Sequence, residues 1–242
     1  MEGHVDGVRP GIVLGRRLGE GVMILFSILL AFGIDAWWAE RGAFSEVSDY
    51  LTAVSSEMST NLDVLRADSA RLARSRQAQA RVLTLTGPTP MPVSRDTLAL
   101  LIGAAFDGVP STLTTGAIDS FLGSEAFSRV PDVSLQTDLT NWKGSYESLR
   151  SQSVVYQQGR TAMIEVVGGA LPLLDAAHLV SPSLPRSSFL FNSRAALDDP
   201  RLEGLMANLA ALSARLGRDL DRLIALSHEL LGPSGLDNAL QQ

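Results

Sequence analysis

Residues 21–34, Gly-Val-Met-Ile-Leu-Phe-Ser-Ile-Leu-Leu-Ala-Phe-Gly-Ile, carry no charge. As a helix these 14 residues reach about 21 Å, short of the roughly 30 Å hydrocarbon layer of a bilayer. The flanks supply the rest. From Leu18 to Trp38 the chain offers 21 residues, about 31 Å of helix, with Glu20 and Asp35 near the ends where headgroups and water reach them. Trp37 and Trp38 stand where an interfacial aromatic belt would put them.

Three readings compete for this stretch. A secretory signal fits Arg16-Arg17 ahead of an apolar core, but cleavage before Glu40 would set Trp37 where a small residue is needed. A core helix of a globular domain would not ordinarily be bracketed by Arg-Arg and Trp-Trp. A membrane span fits both brackets. Arg9, Arg16 and Arg17 precede it and only Arg41 follows closely, so the positive-inside rule predicts the short N-terminus in the cytoplasm and the rest outside, which in a diderm bacterium means an inner-membrane protein with its bulk in the periplasm.

Within the span two features invite a role. An acid inside a membrane is a functional candidate, but Asp35 lies one turn or less from the boundary and reads better as a solvated interfacial carboxylate. Ser27 and Ala31, four apart, offer a small-residue seam for another helix.

Beyond Gly42 the pattern is helical. Phe44, Val47, Leu51, Val54, Met58, Leu62, Leu65 and Leu72 form one stripe, and Gly87-Pro88 stops it. Arg66, Arg71, Arg74, Arg76 and Arg81 crowd its far half and read as a solvated face pairing with acids of neighbouring helices. Ser94 starts a short helix through Phe106, and another is expected near Ala117 to Leu122. Leu135, Leu139, Trp142, Tyr146, Leu149, Ser153, Tyr156, Arg160, Met163 and Val167 alternate steps of four and three, a heptad seam with polar members. Asp199 and Pro200 start a last long helix with Leu202, Leu205, Leu209, Leu212, Leu216, Leu220, Leu223 and Leu230 as its stripe. The connection over 171–199 is too long and too apolar for a turn. Its Phe189-Leu190-Phe191 cluster is the predicted partner contact.

The expected fold is therefore all-α: one N-terminal transmembrane helix and an extracytoplasmic bundle of three long and two short helices. The expected organisation is a tail over 1–17, the span over 18–38, the bundle over 39–232 and a loose tail over 233–242.

Composition narrows the chemistry. Twenty basic residues against 26 acidic give a net charge of -6, which disfavours nucleic acid as a partner. Zero cysteines exclude disulfides, thiol catalysis and thiolate-held metals. His4, His178 and His228 share no ligand spacing, and no nucleophile elbow, phosphate loop or paired carboxylates at catalytic spacing appear. No catalytic residue, cofactor, metal or small-molecule substrate is expected. The span also lacks the histidine that usually ligates a membrane-embedded haem or chlorophyll.

Gly19-Glu20, then Ile28-Leu29-Leu30-Ala31-Phe32-Gly33-Ile34, then Trp37 resemble the opening of a family of bacterial single-span proteins with no assigned activity. Tyr50-Leu51, Glu57-Met58, Leu113 to Ile118 and Leu139 to Tyr146 are similar to that family's outer helices. Asp35 departs from it, since the family more often has an uncharged residue there. The resemblance implies a membrane-anchored helical domain and no activity. In size, lone span and histidine-free membrane helix the chain also resembles single-span accessory subunits of photosynthetic reaction-centre and light-harvesting assemblies. Both likenesses lead to one expectation: a non-enzymatic subunit anchored in the bilayer that scaffolds other membrane-protein subunits. A periplasmic sensory or ligand-binding bundle acting through a separate partner is the alternative.

Overall fold

The computed structural model describes residues 11–89, 92–189, 191–233 and 235–239, with the side chains of residues 11–22, 24, 39, 40, 43, 237 and 238 outside that description. Every regular element among the described residues is helical. The chain groups into two compact units, Met1–Asp49 and Tyr50–Gln242. Helix α1 (Gly11–Leu85) begins in the first and supplies one long helix to the second.

Three long helices dominate the second unit: the later part of α1, α5 (Val133–Val167) and α8 (Pro200–Leu230). Between α1 and α5 lie α2 (Arg95–Phe106), α3 (Gly116–Leu122) and α4 (Glu125–Ser128). The expected pair of short helices is therefore joined by a third. The 171–199 connection also holds helices, α6 (Leu173–Val180) and α7 (Ser193–Leu197), and α9 (Leu236–Ala239) lies in the stretch expected to be loose.

The starts follow local chemistry. Ser94 accepts from the Thr97 amide, Asp132 from those of Ser134 and Leu135, and Asp199 from that of Arg201, with Pro200 supplying a preset φ in the first turn. α1 stops at Leu85, and Gly87 takes φ +133°, where a side chain would be strained. That turn lets the Gly87 amide donate to the Leu197 carbonyl at 3.0 Å, tying the end of α1 to α7.

Packing obeys a heptad on all three long helices. On α1 the buried seam runs through Leu51, Val54, Met58, Asn61, Leu65, Asp68, Leu72, Ser75, Gln79 and Val82, in alternating steps of three and four, with Val47, Leu62, Ala78 and Leu85 also buried. On α5 the predicted seam is buried from Leu135 to Val167, and only Arg160 keeps partial exposure. The α8 stripe differs from expectation. Met206 and Ser213 are buried where Leu205 and Leu212 were predicted, and Ser227 completes the seam. The heptad step places a serine inside and its leucine neighbour at the rim, because Ser213 and Ser227 have polar partners waiting in the core. Trp142 donates from Nε1 to Ser227 Oγ at 2.8 Å, and Ser213 Oγ donates to Gln79 Oε1 at 2.8 Å.

Candidate functional site

Three arrangements could carry a function: a polar ladder in the bundle, a pinned loop at Phe189, and the apolar face of α1 in the first unit.

The ladder occupies the polar heptad positions of α1. Asn61 uses both amide atoms on one residue, donating to the Thr114 carbonyl at 2.6 Å and accepting from its amide at 3.1 Å. One turn earlier, Glu57 accepts from the amides of Ala117 and Ile118, a carboxylate capping α3. Asp68 accepts from the Ser111 amide at 2.6 Å and hydroxyl at 3.0 Å, and pairs with Arg71. Ser75 and Gln79 both donate to the Ala105 carbonyl, and Gln79 also donates to Tyr156 Oη at 3.2 Å. Burial pushes the Tyr156 hydroxyl pKa up, so it stays protonated. Gly108 lies so close to this group that a Cβ there would stand 2.8 Å from Tyr156 Oη. The irregular strap over 107–115 is thus fastened rung by rung. These groups satisfy one another, so the ladder holds a loop in place; Pro110, Ser111 and Thr112 of that loop line a cleft of about 160 Å³ against α5.

The second arrangement centres on Arg95. Its guanidinium pairs with Asp175, which is buried, and donates to the carbonyls of Ser187 at 3.1 Å and Phe189 at 3.3 Å. Asp175 also accepts from the Ser187 amide at 3.0 Å. The hydrogen bond from Arg95 is the main reason that the Asp175 carboxyl lies below the ordinary carboxylate range. Arg186 bridges to Asp96 at 3.0 Å, and His178 Nδ1 approaches the Leu184 carbonyl at 2.6 Å. The loop is held at its backbone, yet Phe189 is 81% exposed. Phe191 is half-buried, and Leu190 lies outside the described residues. Of the two described members of the predicted contact cluster, Phe189 is the side chain turned outward.

The third arrangement is the first-unit stretch of α1. Met23, Leu25, Phe26, Ile28, Leu29, Leu30, Phe32, Ile34, Trp37 and Trp38 are between 48% and 73% exposed. Ser27, Ala31 and Asp35 are exposed too, with Ser27 Oγ donating to the Met23 carbonyl one turn back. The Leu18 side chain lies outside the described residues. Phe26, Leu29, Leu30, Gly33, Ile34 and Trp37 line a shallow apolar notch, open where Gly33 has no side chain. The tryptophan rings meet edge to face at 5.9 Å, and the Arg41 guanidinium lies 5.5 Å from the Trp37 ring. Among the described residues no single helix is long and apolar enough to cross a membrane; the apolar part is Leu25–Trp38. Val133–Ala170 and Leu173–Val180 pass such a test only together, across a 107° bend. The α5 residues responsible include those that fill the bundle core.

Among the described residues no three histidine, aspartate or glutamate side chains gather to hold a metal. His228 Nε2 sits 3.1 Å from Arg66, and His178 serves its loop. The sequence reading missed Arg95 and Asp175. Nothing local announces a pair 80 residues apart. It also missed the ladder, although Asn61, Asp68 and Ser75 repeat every seven residues and that period was there to be seen.

Comparison with protein-family models, with curated proteins and with solved structures finds no match to this chain.

Proposed function

We propose that this chain is a non-enzymatic, membrane-anchored structural subunit: its apolar helix lies in the bilayer beside other subunits and its bundle holds or bridges them. One observation carries this. Ten large apolar side chains between Met23 and Trp38 stand exposed on all sides of one helix. Covering each is worth about 1.5–3 kcal/mol, so the set amounts to roughly 15–30 kcal/mol, more than the about 5–15 kcal/mol that stabilises a typical domain. A helix apolar all round is covered by protein or by lipid. The backbone of α1 is helical from Gly11 onward, so the 18–38 stretch has the length that a span needs. Trp37, Trp38 and Arg41 supply an interfacial anchor on this reading. The arginine asymmetry then puts the N-terminus in the cytoplasm and the bundle in the periplasm. A photosynthetic assembly is the first complex to test, given the likeness of size and span.

The pinned loop supports the scaffolding half of the proposal. Its backbone is fastened through a buried carboxylate while Phe189 is turned outward, the arrangement of a pre-organised contact. The experiment is cross-linking in native membranes followed by purification in mild detergent. A companion of fixed stoichiometry is expected. Recovery of the chain alone would refute the scaffold.

A further inference from the structure

α1 and α2 leave between them a groove of about 650 Å³ lined by Arg74, Gln77, Ala78, Ala80, Arg81, Thr84 and Leu101. Its apolar lining is Ala78, which is buried, with Ala80 and the half-buried Leu101. Its charge is wholly positive. Some arginines find acids, among them Arg66 with Asp63, Arg71 with Asp68, Arg95 with Asp175, Arg186 with Asp96 and Arg201 with Asp199, while others, such as Arg76, Arg194, Arg215, Arg218 and Arg222, have no ion pair among the described residues. Among the described residues Arg74 and Arg81 have no ion-pair partner, in a chain whose net charge is -6. The solvated face that was expected to pair with neighbouring helices therefore divides. Arg66 and Arg71 pair within α1 itself, while Arg74, Arg76 and Arg81 have no acid partner among the described residues, and of these Arg74 and Arg81 line the groove beside its apolar residues.

We propose that this groove docks an acidic amphipathic helix of a partner protein, with apolar residues against Ala78 and Leu101 and carboxylates on Arg74 and Arg81. The two arginines are seven residues apart, about 10.5 Å along the helix, so acids seven apart on one face of the docked helix match them. Nucleic acid fits poorly, since two cations neutralise too few phosphates for firm binding. A lipid surface fits poorly too, because recruitment to anionic headgroups takes clusters of about 4–8 basic residues. A second copy of this chain does not supply the match. Of its 26 acids only Glu125 and Asp132 stand seven apart, and they sit on α4 and at the cap of α5. The proposal does not depend on where the apolar helix of the first unit resides.

The test uses the full chain in a non-ionic detergent and a labelled, alanine-rich 15-residue helical peptide with glutamates seven apart and two leucines between them. Its control has glutamine for both glutamates. Fluorescence anisotropy should show the acidic peptide binding at least about tenfold tighter at low salt, a gap that closes as salt screens the pairs. Arg74→Gln/Arg81→Gln should erase the gap with unchanged helicity and thermal unfolding, and Arg74→Lys/Arg81→Lys should retain most of it. Equal affinity for the two peptides, or a gap that survives the glutamine pair, overturns the proposal. So does a single-stranded oligonucleotide that binds more tightly than the acidic peptide and loses its affinity in the glutamine variant.

Discussion

Asp68 offers the sharpest test of how the bundle is held. Its carboxylate is buried, accepts from the Ser111 amide and hydroxyl and pairs with Arg71. Asp68→Ala removes the acceptor and leaves a part-buried backbone amide without a partner. Losing a bond to a charged group and stranding its donor costs about 2–4 kcal/mol. A domain of this size loses roughly 2–4 °C in Tm per kcal/mol, so the variant should melt about 4–16 °C lower. Asp68→Asn keeps an acceptor and gives up the charge, so it should lose about half as much. Circular dichroism at 222 nm reads the first effect. Hydrogen exchange localises it, because the amides of 109–114 should exchange faster in Asp68→Ala while those of α8 keep their order of protection. A Tm within about 2 °C of the parent, or exchange raised uniformly along the chain, would refute a rung-by-rung strap.

Four further outcomes follow from particular contacts. Gly108→Ala forces a Cβ toward Tyr156 Oη and Ser75 Oγ and should cost about 1–3 kcal/mol, whereas Gly144→Ala, with open space on mid-helix α5, should stabilise by about 0.5–1 kcal/mol; chemical denaturation compares the two. Trp142→Phe breaks the bond to Ser227 Oγ inside a packed seam and should cost about 2–3 kcal/mol, seen as a lower denaturant midpoint at an unchanged slope. Asp175 has a depressed pKa, so its contribution is present above the ordinary carboxylate value and lost as pH falls through the folded one. The Tm gap between the parent and Asp175→Asn should therefore hold steady above about pH 5 and shrink below about pH 4. Phe189→Asp alters an exposed side chain, so its unfolding should match the parent within about 0.5 kcal/mol while its cross-link to a membrane companion falls several-fold.

What was legible in the sequence is what repeats or caps. The α5 seam could be read residue by residue because its large apolar members keep a strict period, and Ser94 and Asp199 announced their helices through ordinary capping chemistry. The α8 stripe misled at two positions. Leucines at 205 and 212 look like core in sequence, but the core wanted Ser213 beside Gln79, a partner 134 residues away. The same physics hid the ladder and the loop clamp. A buried Asn61 or Asp68 makes sense only with its distant acceptor or donor in view, and Arg95 pins a loop more than 90 residues downstream. Apolar periodicity is local; polar satisfaction is a property of the assembled chain.

Alkaline carbonate extraction of membranes holding the full chain is the most direct test of its anchoring. The account expects the protein to stay with the lipid pellet, and a Leu29→Arg/Phe32→Arg variant, which puts two charges into the apolar stretch, to move into the wash. Release of the unaltered chain into the supernatant would contradict a helix resident in the bilayer, and with it the anchored scaffold.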